Sequence, residues 1–136
     1  MAYWLVKSEP ETWSWEQHAS KSADAWTGVR NHQAKAHLKN MKKGDRVFFY
    51  HSGEGKEIVG ISEVAKEAYA DPSDAKGQFV AVDLRAVAPL KTAVSLAAIK
   101  AEKRLADMVL VKNSRLSVQP VSASEWALVA KMAGVK

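Results

Sequence analysis

Residues 26–56 read WTGVRNHQAKAHLKNMKKGDRVFFYHSGEGK, and this stretch contains both kinds of element from which the chain is built. Asn31 is a favoured helix N-cap, and Ala34, Leu38 and Met41 recur at spacings of four and three, which puts one apolar stripe on a helix whose other side carries Lys35, Lys39 and Lys42. Lys43-Gly44-Asp45 ends that helix. Arg46 to His51 then alternates as a strand, with Val47, Phe49 and His51 on one face and Phe48 and Tyr50 on the other. Bulk on both faces predicts a strand inside the fold. The same stretch holds seven Lys or Arg against two acids, while the other residues of the chain balance at thirteen of each, so the whole formal excess of +5 lies here, interleaved with aromatic residues.

Working outward, Tyr3 to Val6 is an apolar, aromatic run that reads as a first strand ending near Lys7, before Pro10, which cannot donate to a ladder. Ser14 and Gln17 have the spacing of a capping box, so a short helix is expected from Trp15. Beyond the central stretch, Ser52-Gly53-Glu54-Gly55 reads as a hairpin turn into a strand from Ile58 to Val64, where Gly60 predicts a bulge or a close backbone approach. A loop at Asp71-Pro72-Ser73-Asp74 leads to a strand from Phe79 to Val87, with Val80, Val82, Leu84 and Ala86 inward and Asp83 and Arg85 outward. Ser95 is placed to cap a helix burying Leu96 and Ile99 and running on to Met108. Arg115 to Val121 has strand character broken by Pro120, and Ser122 with Glu125 forms a second capping box ahead of Trp126, Val129, Met132 and the stop at Gly134. The order β, α, α, β, β, β, α, β, α predicts a single α+β domain on a curved sheet or small barrel.

The 136 residues suit one domain. With no cysteine, the chain has no disulfide, thiolate nucleophile or thiolate metal site, which fits a reducing compartment. No apolar run reaches the ~18 residues of a membrane span, and the N-terminus has no signal-peptide pattern, so a cytoplasmic protein is expected. Net positive charge admits nucleic acid, acidic proteins or an anionic membrane as partners; the basic helix lacks the strongly apolar face of a membrane-lying helix, and the membrane ranks last.

Catalytic patterns fail one by one. His32 and His37 are five apart, about 140° round a helix, and cannot share a metal ion. Gly53-x-Gly55 lacks the third glycine of a dinucleotide loop, no Walker loop exists, and His51-Ser52 neighbours face opposite ways on a strand. No catalytic residue, metal or cofactor is therefore predicted. Trp4, Phe49, Trp126 and Trp13 read as core. Trp26, beside a Thr-Gly turn and off any periodic apolar face, reads narrowly as a binding residue. A stacked ring with an amide nearby is what a flipped base needs: the ring supplies ~1–3 kcal/mol of stacking, the amide reads the base edge, and lysines hold phosphate. Asn31 can be that amide or only a helix cap, and the helix lysines can equally form a plain solvated face.

Four segments, YWLVKSEPETWSW, W-x-GVRN-x-QA-x-x-x-L-x-x-M-x-x-GD with FFYHS, VGI-x-EV-x-x-EAY-x-D and MVLV-x-x-SRLSVQP, resemble the EVE domain family in order and over nearly the whole chain. The resemblance implies a PUA-like fold, a small mixed-strand pseudobarrel surrounded by helices and related in architecture to YTH readers of methylated RNA. It further implies a binding module whose pocket accepts a modified base of DNA or RNA. Two positions depart from the family pattern: the segment from Asp71 to Phe79 is shorter than in eukaryotic members, and Phe79 stands where many members have tryptophan.

The residues at matching positions are Lys7, Ser8, Glu9, Trp26, Val29, Asn31, Tyr50, His51, Ser52, Arg115, Leu116 and Ser117, expected around one base pocket, with Arg30, Lys35 and Lys39 as phosphate contacts. In this reading Trp26 forms one wall, Tyr50 a second aromatic contact, and Asn31 and Ser52 read the base edge. The expected partner is nucleic acid carrying methylated or hydroxymethylated cytosine or methylated adenine, bound by a monomer. Two alternatives stand beside it: an enzyme of nucleotide metabolism with Glu9 and His51 as acid and base, and a basic protein-interaction module.

Overall fold

The computed structural model describes residues 2–11, 13–53, 55–113 and 115–134. Glu54 of the expected 52–55 turn, with Thr12 and Ser114 of the family motifs, lies outside the described residues.

The chain folds as β1 (Tyr3–Ser8), α1 (Trp15–Ala19), β2 (Asp24–Trp26), α2 (His32–Asn40), β3 (Arg46–His51), β4 (Glu57–Ala70), β5 (Val80–Ser95), α3 (Leu96–Ala101), α4 (Val109–Lys112), β6 (Val118–Val121) and α5 (Ala123–Met132), with a 3-10 turn at Lys103–Leu105. The strands form one six-stranded sheet in the order β2-β5-β4-β3-β1-β6. Only the β1–β3 pair is parallel; the other four are antiparallel. This is the mixed α+β single domain that the element order predicts.

Alternation along the central strands splits the core in two, because successive side chains leave a strand on opposite faces. Trp4, Val6, Val47 and Phe49 join Ala34 and Leu38 of α2, Met41 just after it and Trp15 of α1 on one face. Leu5, Phe48 and Tyr50 join Ile99, Leu110 and Val129 of the later helices on the other. β3 is thus buried on both faces, as its sequence requires. The turn into it is fixed by Asp45, buried at 4 % exposure, whose carboxylate accepts from the indole Nε1 of Trp4 at 3.0 Å and from the Lys42 amide at 3.0 Å. Gly44 supplies the positive φ of 92° that this turn needs.

Several boundaries differ from those expected. Asp24–Trp26 is a strand that the sequence pattern does not announce, because three residues are too few to show a period. β4 and β5 run on to Ala70 and Ser95, well past Val64 and Val87, since they pair with each other along most of their length and register shifts absorb their irregularities. Pro89 is accommodated within β5 opposite Gly60. The helix opened by Ser95 stops at Ala101, and the path to Met108 is a 3-10 turn and loop. The last strand starts at Val118, leaving Arg115 to Ser117 in the preceding loop, and Pro120 sits on β6 at the sheet's edge, where a missing N–H is tolerated. Gly60 does mark a close approach: a Cβ there would lie 2.4 Å from the Trp15 ring.

Candidate functional site

A cavity of about 630 Å³ opens where the ends of β1 and β2 and the loop before β6 converge. Its volume is within the ~300–1,000 Å³ usual for small-ligand sites. The exit of β1 forms one side. There Lys7 donates its amide to the Ser117 carbonyl at 2.9 Å, tying the loop before β6 to the strand. Ser8, buried, donates from Oγ to the Trp13 carbonyl at 2.5 Å, and the Trp13 amide donates to the Glu9 carbonyl at 2.8 Å. These two bonds hold Trp13 against the β1 exit, where it lines the cavity with Lys21 Nζ 5.0 Å from its ring centroid. Lys7 also lines the cavity, with its ammonium 5.7 Å from the centroid of the Tyr50 ring, and burial lowers its pKa.

The other side is β2 and the turn after it. β2 pairs antiparallel with β5, Asp24 opposite Leu84 and Trp26 opposite Val82, so Asp24 and Trp26 project from one face of the strand into the cavity. Trp26 stands edge-to-face against Phe49 at 5.7 Å and His18 at 6.4 Å, and packs on the core while lining the cavity. Gly28, at φ 81°, turns the chain. Its amide donates to Asp71 Oδ2 at 2.8 Å, and Arg30 Nη1 donates to the same oxygen at 3.1 Å. Ser73 closes the junction with two donations of 2.7 Å to Asp71 Oδ1. Burial opposes ionisation of Asp71, but the donors from Ser73, Gly28 and Arg30 outweigh it and bring the pKa to about 2. The cavity rim at residues 27–30 is thereby clamped to the 71–79 loop, whose Phe79 lies 5.5 Å under the Arg30 guanidinium.

Behind Asp24 lies a buried polar series. His18, 1 % exposed, stacks on Phe49 and contacts Asp24 Oδ2 through Nδ1 at 3.3 Å and Ser62 Oγ through Nε2 at 2.8 Å. A carboxylate only accepts, so Nδ1 carries the proton and Nε2 accepts from the Ser62 hydroxyl. Burial lowers the His18 pKa, outweighing the hydrogen bond and charge of Asp24 that favour protonation. Serine, histidine and aspartate in sequence resemble a nucleophilic triad, yet Ser62 is 0 % exposed, and no substrate can reach it as the chain is folded.

Of the residues singled out in the sequence, Lys7, Ser8, Glu9, Trp26, Val29, Arg30 and Ser117 line this cavity. The others lie elsewhere. Tyr50 is 3 % exposed in the core cluster on the opposite face of the sheet, and burial raises its pKa. His51 Nε2 accepts the Trp15 amide at 3.0 Å, and Ser52 donates its amide to the Ser8 carbonyl at 2.9 Å, so both buttress the β1 exit from behind. Asn31 caps α2, its side chain accepting from the Ala34 amide at 2.9 Å. Leu116 is core, Arg115 is exposed in the loop, Lys35 sits 5.8 Å from the Phe79 centroid, and Lys39 is exposed on α2. The cavity adds Trp13, Lys21, Asp24, Ala25, Thr27 and Gly28. Trp13 and Lys21 carried one available signal, an aromatic and a base flanking a capping box. Asp24 carried none. Among the described residues, no group of three or more His, Asp or Glu could hold a metal ion, and no helix is long and apolar enough to cross a membrane.

Known proteins resemble this chain over nearly its whole length. The profile of the EVE domain matches residues 2–132. A Rhodopseudomonas palustris protein solved by NMR is 65 % identical, superposes with a TM-score of 0.94, and is covered over 94 % of its length by 98 % of this chain. Human thymocyte nuclear protein 1 is 33 % identical over 94 % of this chain and 72 % of its own length. The crystal structure of the human THYN1 protein in complex with DNA containing 5-methylcytosine superposes with a TM-score of 0.92 at 31 % identity, covering all of this chain and 99 % of that one. A YTH domain from Zygosaccharomyces rouxii, at 19 % identity over 97 % of this chain and 86 % of its own and a TM-score of 0.60, shares the fold alone. The fold is accordingly the PUA-like one that the motifs imply.

Proposed function

Because the chain belongs to the EVE domain family, we propose that it is a non-catalytic nucleic-acid-binding module that takes a modified base into the cavity beside Trp26. The observation that carries the reading is one cavity lined by two tryptophans, Trp13 and Trp26, with Lys21 and Arg30 around them and Lys7 at its edge, the Lys7 ammonium lying 5.7 Å from the Tyr50 centroid. Aromatic walls stack a base and exclude water from its faces; cations hold the backbone that delivers it. The human relative bound to 5-methylcytosine DNA supports the choice of a modified base, methylated or hydroxymethylated cytosine first and methylated adenine next. Ser8, Glu9, Val29 and Ser117 complete the pocket, and Arg115, Lys35 and Lys39 approach the strand only outside it. Tyr50, His51, Ser52 and Leu116 support the β1 exit or the core, and Asn31 acts as a cap.

The reading takes the protein as a monomer in the cytoplasm, the latter resting on the absence of cysteine. An enzyme using Glu9 and His51 is disfavoured because His51 Nε2 is occupied by the Trp15 amide. A protein-interaction role for the basic surface leaves the aromatic cavity without a purpose.

The test is a titration of otherwise identical oligonucleotides carrying cytosine, 5-methylcytosine, 5-hydroxymethylcytosine, adenine or N6-methyladenine. At least one modified strand is expected to bind more tightly than its unmodified counterpart, and Trp26→Ala to remove that preference while the variant still melts cooperatively. Equal affinity for every strand sinks the proposal.

A further inference from the structure

We propose that Asp24 selects the base: its second carboxylate oxygen accepts a hydrogen bond from the exocyclic amino group of a cytosine-type or adenine-type base stacked on Trp26, and thymine is rejected. The inference rests on the base-binding reading above and names the chemistry that the cavity reads.

Asp24 is 9 % exposed and lines the cavity. Its Oδ2 is engaged by His18 Nδ1 at 3.3 Å, whereas Oδ1 has no hydrogen-bond partner among the described residues. Oδ1 is open to the cavity, since among the described residues the buried side-chain atom left without a partner is Gln119 Oε1, and a donor arriving from the ligand would take the place of solvent on it. The orientation is fixed from behind. Ser62 donates to His18 Nε2, which leaves Nδ1–H to point at Asp24, and the stack of His18 on Phe49 holds the ring. The group presented to the cavity is therefore an acceptor and cannot become a donor by rotating. Two residues along a strand span about 7 Å, so an acceptor two positions from a stacking ring meets the edge of a base that lies on that ring.

Cytosine N4 and adenine N6 each offer an amino donor on that edge. Thymine presents a carbonyl at the same place, and its only N–H lies between two carbonyl oxygens, each of which would face the carboxylate with a lone pair. Guanine's adjacent pair of donors calls for two acceptors, and His18 already holds one of the two oxygens.

5-Methylcytosine and thymine carry the same methyl group on the same ring and differ only along this edge. Single-stranded oligonucleotides with one or the other at a central position are titrated against wild type and Asp24→Asn. Wild type is expected to prefer 5-methylcytosine by about tenfold or more, the effect of a hydrogen bond to a charged group. Asp24→Asn retains an acceptor for His18 and turns an amide N–H₂ toward the ligand, so the ratio is expected to fall to about one or to reverse. Equal wild-type affinity for the two strands, with both bound better than an unmodified cytosine strand, overturns the role of Asp24 and leaves the reader intact. No preference for 5-methylcytosine, 5-hydroxymethylcytosine or N6-methyladenine over the unmodified counterpart of each overturns both. If Asp24→Asn does not fold, the wild-type ratio decides alone; if it folds and keeps the wild-type preference, the role of Asp24 is overturned.

Discussion

The imidazole of His18 lies parallel to the ring of Phe49, centroids 5.1 Å apart and planes 14° from coplanar, and so forms the floor on which Trp26 stands edge-on. Charging that imidazole places a cation in the core that the hydrogen bond and charge of Asp24 offset only in part, because burial outweighs them. The folded-state pKa lies below the ordinary 6.5, so the unfolded chain binds the proton more readily. Stability is full above about pH 6.5 and declines as pH falls from there toward the lower folded value, with a slope of at most ~1.4 kcal/mol per pH unit from this group. His37 is also lowered by burial and contributes in the same direction. Urea denaturation between pH 7.5 and 5 is expected to show the decline, to show less of it in His18→Gln, and to lose it in the double variant with His37→Gln. An unchanged slope in His18→Gln contradicts the neutral, buried His18.

How far this arrangement is legible in the sequence differs from residue to residue. The alternation in Arg46–His51 separates Phe49 from Tyr50 correctly, but which face looks toward the cavity depends on α3 to α5, whose contacts with β3 come from residues more than forty positions away. Placing Tyr50 opposite Trp26 fails for that reason. Trp26, Arg30 and the Lys7-Ser8-Glu9 exit are brought to one cavity, yet Asp24, their neighbour, belongs to a three-residue strand with no period to read. Asn31 shows the same limit: its type suits a base contact or a cap, and only the 2.9 Å bond from the Ala34 amide distinguishes them.

Gly60 is required by Trp15. A Cβ at this position would stand 2.4 Å from Cζ3 and 2.5 Å from Cε3 and Cη2 of an indole that is 7 % exposed and packed edge-to-face on Phe49. The ring cannot swing aside as the end of a flexible side chain could. Gly60→Ala is expected to cost ~1–3 kcal/mol by chemical denaturation, the range for overpacking. Trp15→Leu is destabilising by itself, and adding Gly60→Ala to it should cost markedly less than in the wild-type background. Additive costs would place the strain somewhere other than this contact.

Asp71 holds the cavity rim from below. Its carboxylate accepts from the Gly28 amide, the Ser73 amide and hydroxyl, and Arg30. Removing it in Asp71→Ala leaves two backbone donors without a partner, and a loss of ~1–3 kcal/mol is expected. Since its pKa is lowered from 3.8 to about 2, the stabilisation is complete above about pH 4 and vanishes as pH falls through 2. The stability gap between wild type and variant should therefore be constant from pH 7 to 4 and narrow below it. A gap that persists at the acid end would assign the loss to packing instead of charge.

In the proposed complex, salt dependence separates the cations that would face the nucleic acid from those already committed to the fold. Each phosphate contact on a single strand adds ~0.7 to the magnitude of the slope of log affinity against log salt. Lys21 is exposed at the cavity, with its ammonium over Trp13 and no acid paired to it among the described residues. Arg30 shares Asp71 Oδ2, so a phosphate there must compete with a carboxylate that is almost wholly buried. Lys39 lies on α2, away from the cavity. Lys21→Gln is expected to reduce the slope by about 0.7. Arg30→Gln should reduce it by less, because the ion pair already offsets its charge, and should instead weaken binding of modified and unmodified strands alike by loosening the Gly28 turn. Lys39→Gln distinguishes a long path along α2 from a local grip at the cavity: a loss of slope equal to that of Lys21→Gln places the strand across the helix, and no loss confines the phosphates to the cavity mouth. A Lys21→Gln protein with the wild-type slope would remove Lys21 from the interface.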